Sequence, residues 1–121
     1  MTIHLTLEDL LTLVADLGVG PLRDLGLLGS AAHRPTTVLY GNEAYPDLHT
    51  KAAVLLESLV RNHALVDGNK RLGWLAVVVL YGLNGRELEA PDDDAYDLVV
   101  GMAAGEVDVA EAARALGSWC R

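Results

Sequence analysis

The sequence predicts an all-α fold, a compact bundle of about six helices around a buried central helix, with a short strand or hairpin near residues 36–46. Apolar residues recur at helical spacing along most of the 121 residues. Capping residue types precede these segments, and Gly or Pro follows them. Only one short stretch is rich in β-branched and aromatic residues. A chain of this length with 51% hydrophobic residues is expected to form one domain, residues 1–121, with a substantial core.

The first two helices are bounded by clear signals. Thr6, followed by two acidic residues, predicts the cap of a helix from Leu7 to about Leu17, and Gly18 ends that helix. A Gly/Pro-rich turn leads to a short helix near Leu25 to Ala32. Pro35 is expected to stop this second helix.

The predicted strand or hairpin precedes the third helix. Residues 36–40 are β-branched and aromatic, and Gly41-Asn42 after them is typical of a turn. Asp47 is then expected to cap a helix from Leu48 to Arg61. Four apolar positions define one face of this helix: Ala52, Leu55, Leu56 and Leu59.

The second half of the chain predicts three more helices. Residues Leu72 to Leu83 are apolar on nearly every side, so we expect this central helix to be buried all round and to end at Asn84-Gly85. Three acids, Asp92 to Asp94, open a helix that runs to about Ala104. Residues Val109 to Trp119 form the last helix.

Composition narrows the class of protein. The single cysteine, Cys120, excludes an internal disulfide and favours a reducing compartment. We expect no signal peptide and no membrane span, because the longest apolar stretch is well short of roughly 20 residues. The net charge of −8 disfavours direct binding to nucleic acid. Yet three of the nine bases, Arg61, Lys70 and Arg71, fall close together, which indicates a local electrostatic purpose.

The segment His63 to Arg71, His-Ala-Leu-Val-Asp-Gly-Asn-Lys-Arg, carries the predicted chemistry. Gly68 lets the backbone approach a ligand closely, and the first turn of the following helix offers unpaired N–H groups to an anion, commonly a phosphate. Lys70 and Arg71 add positive charge. Asp67 supplies the hard oxygen that Mg²⁺ requires beside a polyphosphate, and His63 can take a proton near pH 7. The segment therefore predicts a nucleotide-phosphate site with a general base on its rim.

This segment resembles the signature of the Fic/Doc superfamily, His-x-Phe-x-(Asp/Glu)-Gly-Asn-(Gly/Lys)-Arg. Lys70 at the eighth place is similar to the death-on-curing (Doc) branch, the toxins of type II toxin–antitoxin systems. The resemblance covers roughly residues 5–117 and implies a Fic/Doc-like fold. Outside the motif it is carried by Gly29–Pro35, Leu39–Gly41, Tyr45-Pro46, Lys51–Ala53, Leu83–Gly85 and Ala104–Glu106.

The resemblance implies a cytoplasmic protein Ser/Thr kinase that uses ATP and Mg²⁺. It would transfer the γ-phosphate to a hydroxyl of a translation factor, with elongation factor Tu the expected target, and so halt translation. His63 would take the proton of the target hydroxyl, and Asp67 would hold Mg²⁺. Gly68, Asn69, Lys70 and Arg71 would bind the nucleotide phosphates and stabilise the charge that develops on them. The catalytic residues would be His63, Asp67, Lys70 and Arg71.

The resemblance also implies a cognate antitoxin. Residues 36–46 are expected to border the active-site cleft, where an exposed edge could receive an extended peptide by strand addition. Aliphatic positions of residues 7–17 and 22–32 are expected to form a groove for an amphipathic helix. A C-terminal antitoxin segment, disordered when free, would then fold into that groove and block access of the target.

Two other functions stay open. Family members with Gly at the eighth place resemble AMP-transferases, and Lys70 disfavours that reaction because a bulky cation occupies the place. A non-catalytic member that binds a nucleotide or partner is disfavoured by the intact His63. Taken singly, His63 could merely end a helix, and Asp67 could be only a cap. Lys70 and Arg71 could be solvated charges, although each would oppose the helix dipole by roughly 0.3–1 kcal/mol.

Three positions depart from the family pattern. Leu65 replaces Phe, Ala64 stands where Pro is frequent, and Leu72 replaces Thr. We expect these changes to affect rate more than the kind of activity, since none alters the charged groups.

Other residues are expected to have structural roles. The acids Asp92 to Asp94 are interpreted as a solvated helix start and not as a metal site. The remaining histidines, expected at the surface, are His4, His33 and His49. The aromatic residues expected in the core are Trp74, Tyr81 and Trp119.

Overall fold

The computed structural model describes residues 1–121 and consists of six α-helices, one 3₁₀ turn and a two-stranded hairpin. The elements are α1 (Leu7–Leu17), α2 (Leu25–His33), the 3₁₀ turn (Arg34–Thr36), β1 (Val38–Leu39), β2 (Asn42–Glu43), α3 (Leu48–Arg61), α4 (Asn69–Leu83), α5 (Asp92–Ala103) and α6 (Val109–Trp119). The predicted all-α fold is confirmed. A cluster of 23 buried residues draws on all six helices.

Side-chain caps define where most helices begin. Thr6 and Asp9 form a reciprocal capping box at α1, and Gly18 ends that helix in the left-handed conformation, as the sequence predicted. Asp47 accepts a hydrogen bond from the Thr50 backbone and caps α3. Asp24 at α2 and Asp108 at α6 have the same role.

The hairpin turns one residue earlier than predicted. β1 and β2 are antiparallel, with Leu39 opposite Asn42, so the turn residues are Tyr40 and Gly41. Both have positive φ, 53° and 79°, which is the requirement of a type I′ hairpin turn. Asn42 therefore belongs to β2. A non-glycine residue at the first turn position was not expected from residue type alone.

A buried cation ties the hairpin to the helices. Lys51 lies in the first half of α3 and only 1% of its surface is exposed. Its ammonium donates to the Glu43 carboxylate at 2.9 Å and to the carbonyl oxygen of Tyr45. This contact lowers the pKa of Glu43. Since a buried charge is costly without partners, the hairpin supplies the counter-charge that lets Lys51 lie inside.

The central helix is α3, and the prediction that residues 72–83 are buried all round is wrong. Nine of the fourteen residues of α3 are buried, and this helix packs against α2, α4, α5 and α6. In α4 only six of fifteen residues are buried. Trp74, Leu75 and Val78 on α4 are instead half-buried or exposed, because that face borders a cleft.

One predicted surface histidine lies inside the fold. His49 is half-buried, and its Nδ1 is 2.8 Å from the hydroxyl of Tyr81, which is fully buried as predicted. Burial raises the pKa of Tyr81. His33 is exposed, as expected, and His4 is half-buried, with its pKa lowered by burial and by Lys51.

No helix has both the length and the apolar character that crossing a bilayer requires.

Candidate active site

The motif residues meet at one end of a cleft of about 950 Å³. Its other walls are one face of α4 and the facing side of α5. The motif end is lined by His63, Val66, Asp67, Gly68, Asn69, Lys70 and Arg71. The apolar part is lined mainly by Leu17, Val60, Trp74, Leu75, Val78, Ala95, Val99 and Val100, with Asp92 and Tyr96 also in its wall. All residues predicted for the site are thus brought together.

The start of α4 has the properties of an anion site. Gly68 is its N-cap residue, with φ +95° and no side-chain cap. No protein acceptor binds the backbone N–H groups of residues 68–71, whereas Leu72 N–H already bonds the Gly68 carbonyl. These N–H groups lie at the positive end of the helix dipole, and the exposed side chains of Lys70 and Arg71 add to that charge. The geometry favours a bound phosphate.

Only glycine fits at position 68. Besides the positive φ, a Cβ there would lie 2.5 Å from the Cβ of Val19. The same close packing explains why the segment after α1 lies directly against the start of α4. The glycine therefore has two functions, opening the backbone to a ligand and allowing this contact.

The motif loop is held by its own backbone and by Asn69. Leu65, which stands at the place of the family's Phe, is 1% exposed and anchors the loop in the core. The Asn69 carboxamide accepts from the Leu65 N–H at 3.1 Å and donates to the Leu65 carbonyl at 3.0 Å. One N–H of that amide remains for a ligand. Asn69 thus chiefly fixes the loop, a role that sequence reasoning did not assign to it.

A second segment pairs with the motif loop. Residues 20–24 run antiparallel to residues 64–67, with Leu22 opposite Leu65. Backbone bonds join Gly20 N–H to the Asp67 carbonyl at 3.0 Å and Val66 N–H to the Pro21 carbonyl at 2.9 Å. The loop is therefore part of a small paired structure, and its geometry is fixed before any ligand binds.

His63 lies at the rim of the cleft in an unusual backbone conformation. It follows the end of α3, it is exposed, and its φ is +54°. Glycine is the usual residue at such a left-handed position, and a bulkier residue there is strained. The interpretation that His63 ends a helix is thus correct as geometry. It does not account for the choice of histidine, because glycine would end the helix at lower cost.

Asp67 is not a helix cap. Its side chain is 84% exposed, and its only side-chain partner is Arg71, whose Nη2 lies 3.7 Å away. The structural interpretation of Asp67 as an N-cap is therefore wrong. No group of three His, Cys, Asp or Glu side chains could hold a metal ion here. A single exposed carboxylate beside a phosphate site does fit Mg²⁺, which takes one or two protein carboxylates and completes its shell with phosphate oxygens and water.

The wall formed by α5 was missed at the sequence level. Asp92 and Tyr96, one turn apart, both line the cleft, and Tyr96 is exposed. Asp92 was assigned only to a solvated helix start. The signal that could have found this wall is the pair of apolar positions Val99 and Val100 on α5 together with exposed apolar residues on α4.

The residues that line the cleft bear on three further expectations. Arg61 does not line it but lies beside Gly105, so only Lys70 and Arg71 of the predicted basic cluster reach the site. Trp74 is half-buried because one side faces the cleft, although it also packs against the core, as Trp119 does. Residues 36–46, which were expected to border the cleft, are not among the residues that line it.

Comparison with known proteins indicates the same family as the motif. The sequence model of the Fic/DOC family matches residues 4–81. The chain is also similar to a protein named Toxin Doc from Mycolicibacterium smegmatis (strain ATCC 700084 / mc(2)155). The two are 47% identical over 113 residues, which cover 90% of this chain and 87% of that protein. The chain therefore belongs to the Fic/DOC family.

Proposed function

We propose that this protein is the toxin of a toxin–antitoxin pair and acts as a protein Ser/Thr kinase. It would transfer the γ-phosphate of ATP to a hydroxyl of a translation factor, with elongation factor Tu the expected target. The observation that carries the proposal is the uncapped, cationic start of α4, with His63 on the rim of the same cleft. The 47% identity to a protein named Toxin Doc supports the toxin function.

The proposed reaction moves one proton to His63 and one phosphoryl group to the target hydroxyl. His63 takes the proton of the target hydroxyl as its oxygen attacks the γ-phosphorus. The bond from that phosphorus to the β–γ bridging oxygen breaks, and ADP leaves. Charge that develops on the phosphoryl oxygens is stabilised by the free N–H groups of residues 68–71 and by Lys70 and Arg71.

Asp67 would hold the Mg²⁺ that accompanies ATP. When bound, the ion would neutralise phosphate charge and orient the polyphosphate. The Asp67 carboxylate needs no rearrangement for this role, because it is exposed at the motif end of the cleft. The weak contact with Arg71 would be exchanged for the ion.

The apolar part of the cleft would receive the nucleoside. Trp74 lies one turn after Lys70 on α4, so the anion-binding start of the helix and an aromatic ring lie along one face. A nucleotide has the same sequence of properties, with phosphates at one end and a base that can stack at the other. The size of the cleft is in the range of small-molecule sites.

The type of transfer is tested by the mass of the target. We expect incubation of elongation factor Tu with the protein, ATP and Mg²⁺ to add one phosphate to the factor, with label from the γ-position. Lys70 motivates this expectation, because its side chain occupies the place where AMP-transferases have glycine. A gain of one AMP, with label from the α-position, would replace the kinase proposal by AMP transfer.

The partner that restrains the toxin would be a cognate antitoxin, through its C-terminal helical segment. Exposed aliphatic side chains on and near α1, α2 and the hairpin support a docking surface there: Leu11, Leu22, Leu25, Val38 and Leu39. None of these residues lines the cleft. The antitoxin would therefore block the protein substrate and leave ATP binding intact. Calorimetric titration of ATP with and without the antitoxin segment tests this, and complete loss of ATP binding would contradict it.

A further inference from the structure

The position of His63 depends on its backbone. Of the four histidines, only His33 and His49 have ring hydrogen bonds within the protein. The imidazole of His63 has none, so no side chain orients it. What brings the ring to the cleft is the left-handed backbone at φ +54° directly after α3. Such a conformation in a non-glycine residue persists only where the surroundings enforce it.

Arg23 binds the backbone on both sides of the His63 Cα. Its Nε donates to the His63 carbonyl at 2.7 Å, and its Nη2 lies 3.4 Å from the Asn62 carbonyl. Its backbone N–H donates to the next carbonyl, that of Ala64, at 2.7 Å. One residue thus binds three consecutive carbonyl oxygens, and the middle one belongs to His63.

The position of Arg23 is itself fixed by its neighbour. The backbone N–H of Asp24 donates to the Ala64 carbonyl at 3.0 Å, and its side chain caps α2 by accepting from Leu27 N–H. The guanidinium is therefore held at the C-terminal end of α3, where unpaired carbonyls and the negative end of the dipole favour a cation. Its planar fork can reach two successive carbonyls, which a single ammonium group matches poorly.

We infer that Arg23 is a positioning residue for His63: by binding the carbonyls on either side of the Cα of His63, and the next one, it holds the imidazole at the rim of the cleft. This inference rests on the proposed function, in which His63 takes the proton of the target hydroxyl. Arg23 does not line the cleft. Its loss should therefore change the placement of the base while the phosphate site stays intact.

The test compares Arg23→Met, Arg23→Lys and a matched control. Arg86→Met is the control, because Arg86 is also exposed and its Nε also donates to a backbone carbonyl, that of Arg121 at 3.0 Å, away from the cleft. For the full-length protein we would measure kcat and KM for ATP, the melting temperature, and the HN–Hα coupling of His63 by NMR, which reports φ.

We expect Arg23→Met to lower kcat by about tenfold to a hundredfold, with KM for ATP changed less than about twofold, since misplacement of a catalytic group by about 1 Å has effects of this size. The His63 coupling should change in Arg23→Met, stay as in the wild type in Arg86→Met, and be partly restored in Arg23→Lys. Equal losses of melting temperature in the two Met variants would show that stability is not the cause of the difference in kcat.

Two results would overturn the inference. An unchanged His63 coupling in Arg23→Met would show that the left-handed conformation of His63 does not depend on Arg23. An unchanged kcat despite a changed coupling would show that the placement of the ring has no catalytic effect. Failure of the proposed function is a separate result. If His63→Ala retains full activity, the role of His63 as base is wrong, and the NMR measurement still decides whether Arg23 fixes its conformation.

Discussion

The starts of α3 and α4, two helices packed against each other, are built in opposite ways. α3 begins with Asp47, whose carboxylate accepts from both the backbone N–H and the hydroxyl of Thr50, at 3.1 Å and 2.6 Å. α4 begins with Gly68, has no side-chain cap, and places Lys70 and Arg71 in its first turn. At the start of α3, a side chain of the protein itself accepts a hydrogen bond from a first-turn N–H group. The start of α4 leaves its N–H groups available and repels cations, so it is suited to an anionic ligand.

The uncapped start of α4 must be stabilised by other contacts. The Asn69 carboxamide holds both backbone groups of Leu65, and the backbone pairing with residues 20–24 fixes the loop. These contacts lie behind the first turn of α4 and leave its N–H groups free. The comparison therefore predicts that substitutions of the exposed side chains at the α4 site change function with little effect on stability, while substitutions at the start of α3 have the reverse effect.

The largest expected effect is that of His63→Ala. Loss of a general base lowers a rate by about 10²–10⁴-fold, and we expect a loss of this size in the proposed phosphate transfer. The melting temperature should change little, because the His63 side chain is exposed and the carbonyl contact with Arg23 remains. Rates come from intact-mass measurement of the target. A variant that is as active as the wild type would remove His63 from the mechanism.

A smaller effect is expected for Asp67→Asn. The exposed carboxylate does not cap α4, so stability should stay within about 0.5 kcal/mol, as for surface substitutions in general. Loss of a metal-binding carboxylate should weaken Mg²⁺-dependent ATP binding by more than about tenfold, equivalent to about 1.4 kcal/mol. Calorimetry in Mg²⁺ and in EDTA measures the difference. Wild-type turnover by the Asn variant would show that Asp67 does not hold the ion.

The smallest effects are expected for substitutions of Asp47. They distinguish the contribution of the helix cap to stability from the contribution of the Asp47 charge. Asp47→Ala should cost about 0.5–2 kcal/mol of stability with activity per folded molecule unchanged, whereas Asp47→Asn should retain the cap. The Thr50 hydroxyl lowers the pKa of Asp47 below its ordinary value of 3.8. Its charge-dependent contribution is therefore fully present above pH 3.8 and is lost as pH falls through the lower folded value.

Urea denaturation of the wild type and Asp47→Asn at neutral and acid pH checks this last prediction. The difference in stability between the two proteins should shrink below pH 3.8. An unchanged difference would mean that the charge of Asp47 does not contribute.

Sequence reasoning located the helices and the motif end of the site because both depend on local signals. Thr6, Asp47 and Gly18 act on backbone groups within a few residues, and the order of residues in the segment 63–71 is itself the signal. The turn at Tyr40 was displaced by one residue, since a tyrosine with positive φ departs from residue preference.

The choice of central helix was wrong for a non-local reason. Lys51 and Ser58 make α3 look less apolar than α4, although both are buried. Lys51 is compensated by Glu43 from the hairpin and Ser58 by Arg34, and pattern along one helix does not reveal such partners. Conversely, apolar residues of α4 such as Val78 face the cleft. Apolarity there predicts a binding surface as readily as a core.

The antiparallel contact between residues 20–24 and the motif loop determines where the chain tolerates insertion. Amides of Arg23 and Val66 lie outside the helices, yet both donate to carbonyls across this contact, so they should exchange slowly with deuterium. A tag or fluorophore inserted between α1 and α2 would separate residues 20–24 from the motif loop and distort the site. The hairpin tip at Tyr40, which is fully exposed and does not line the cleft, is the better position for a label.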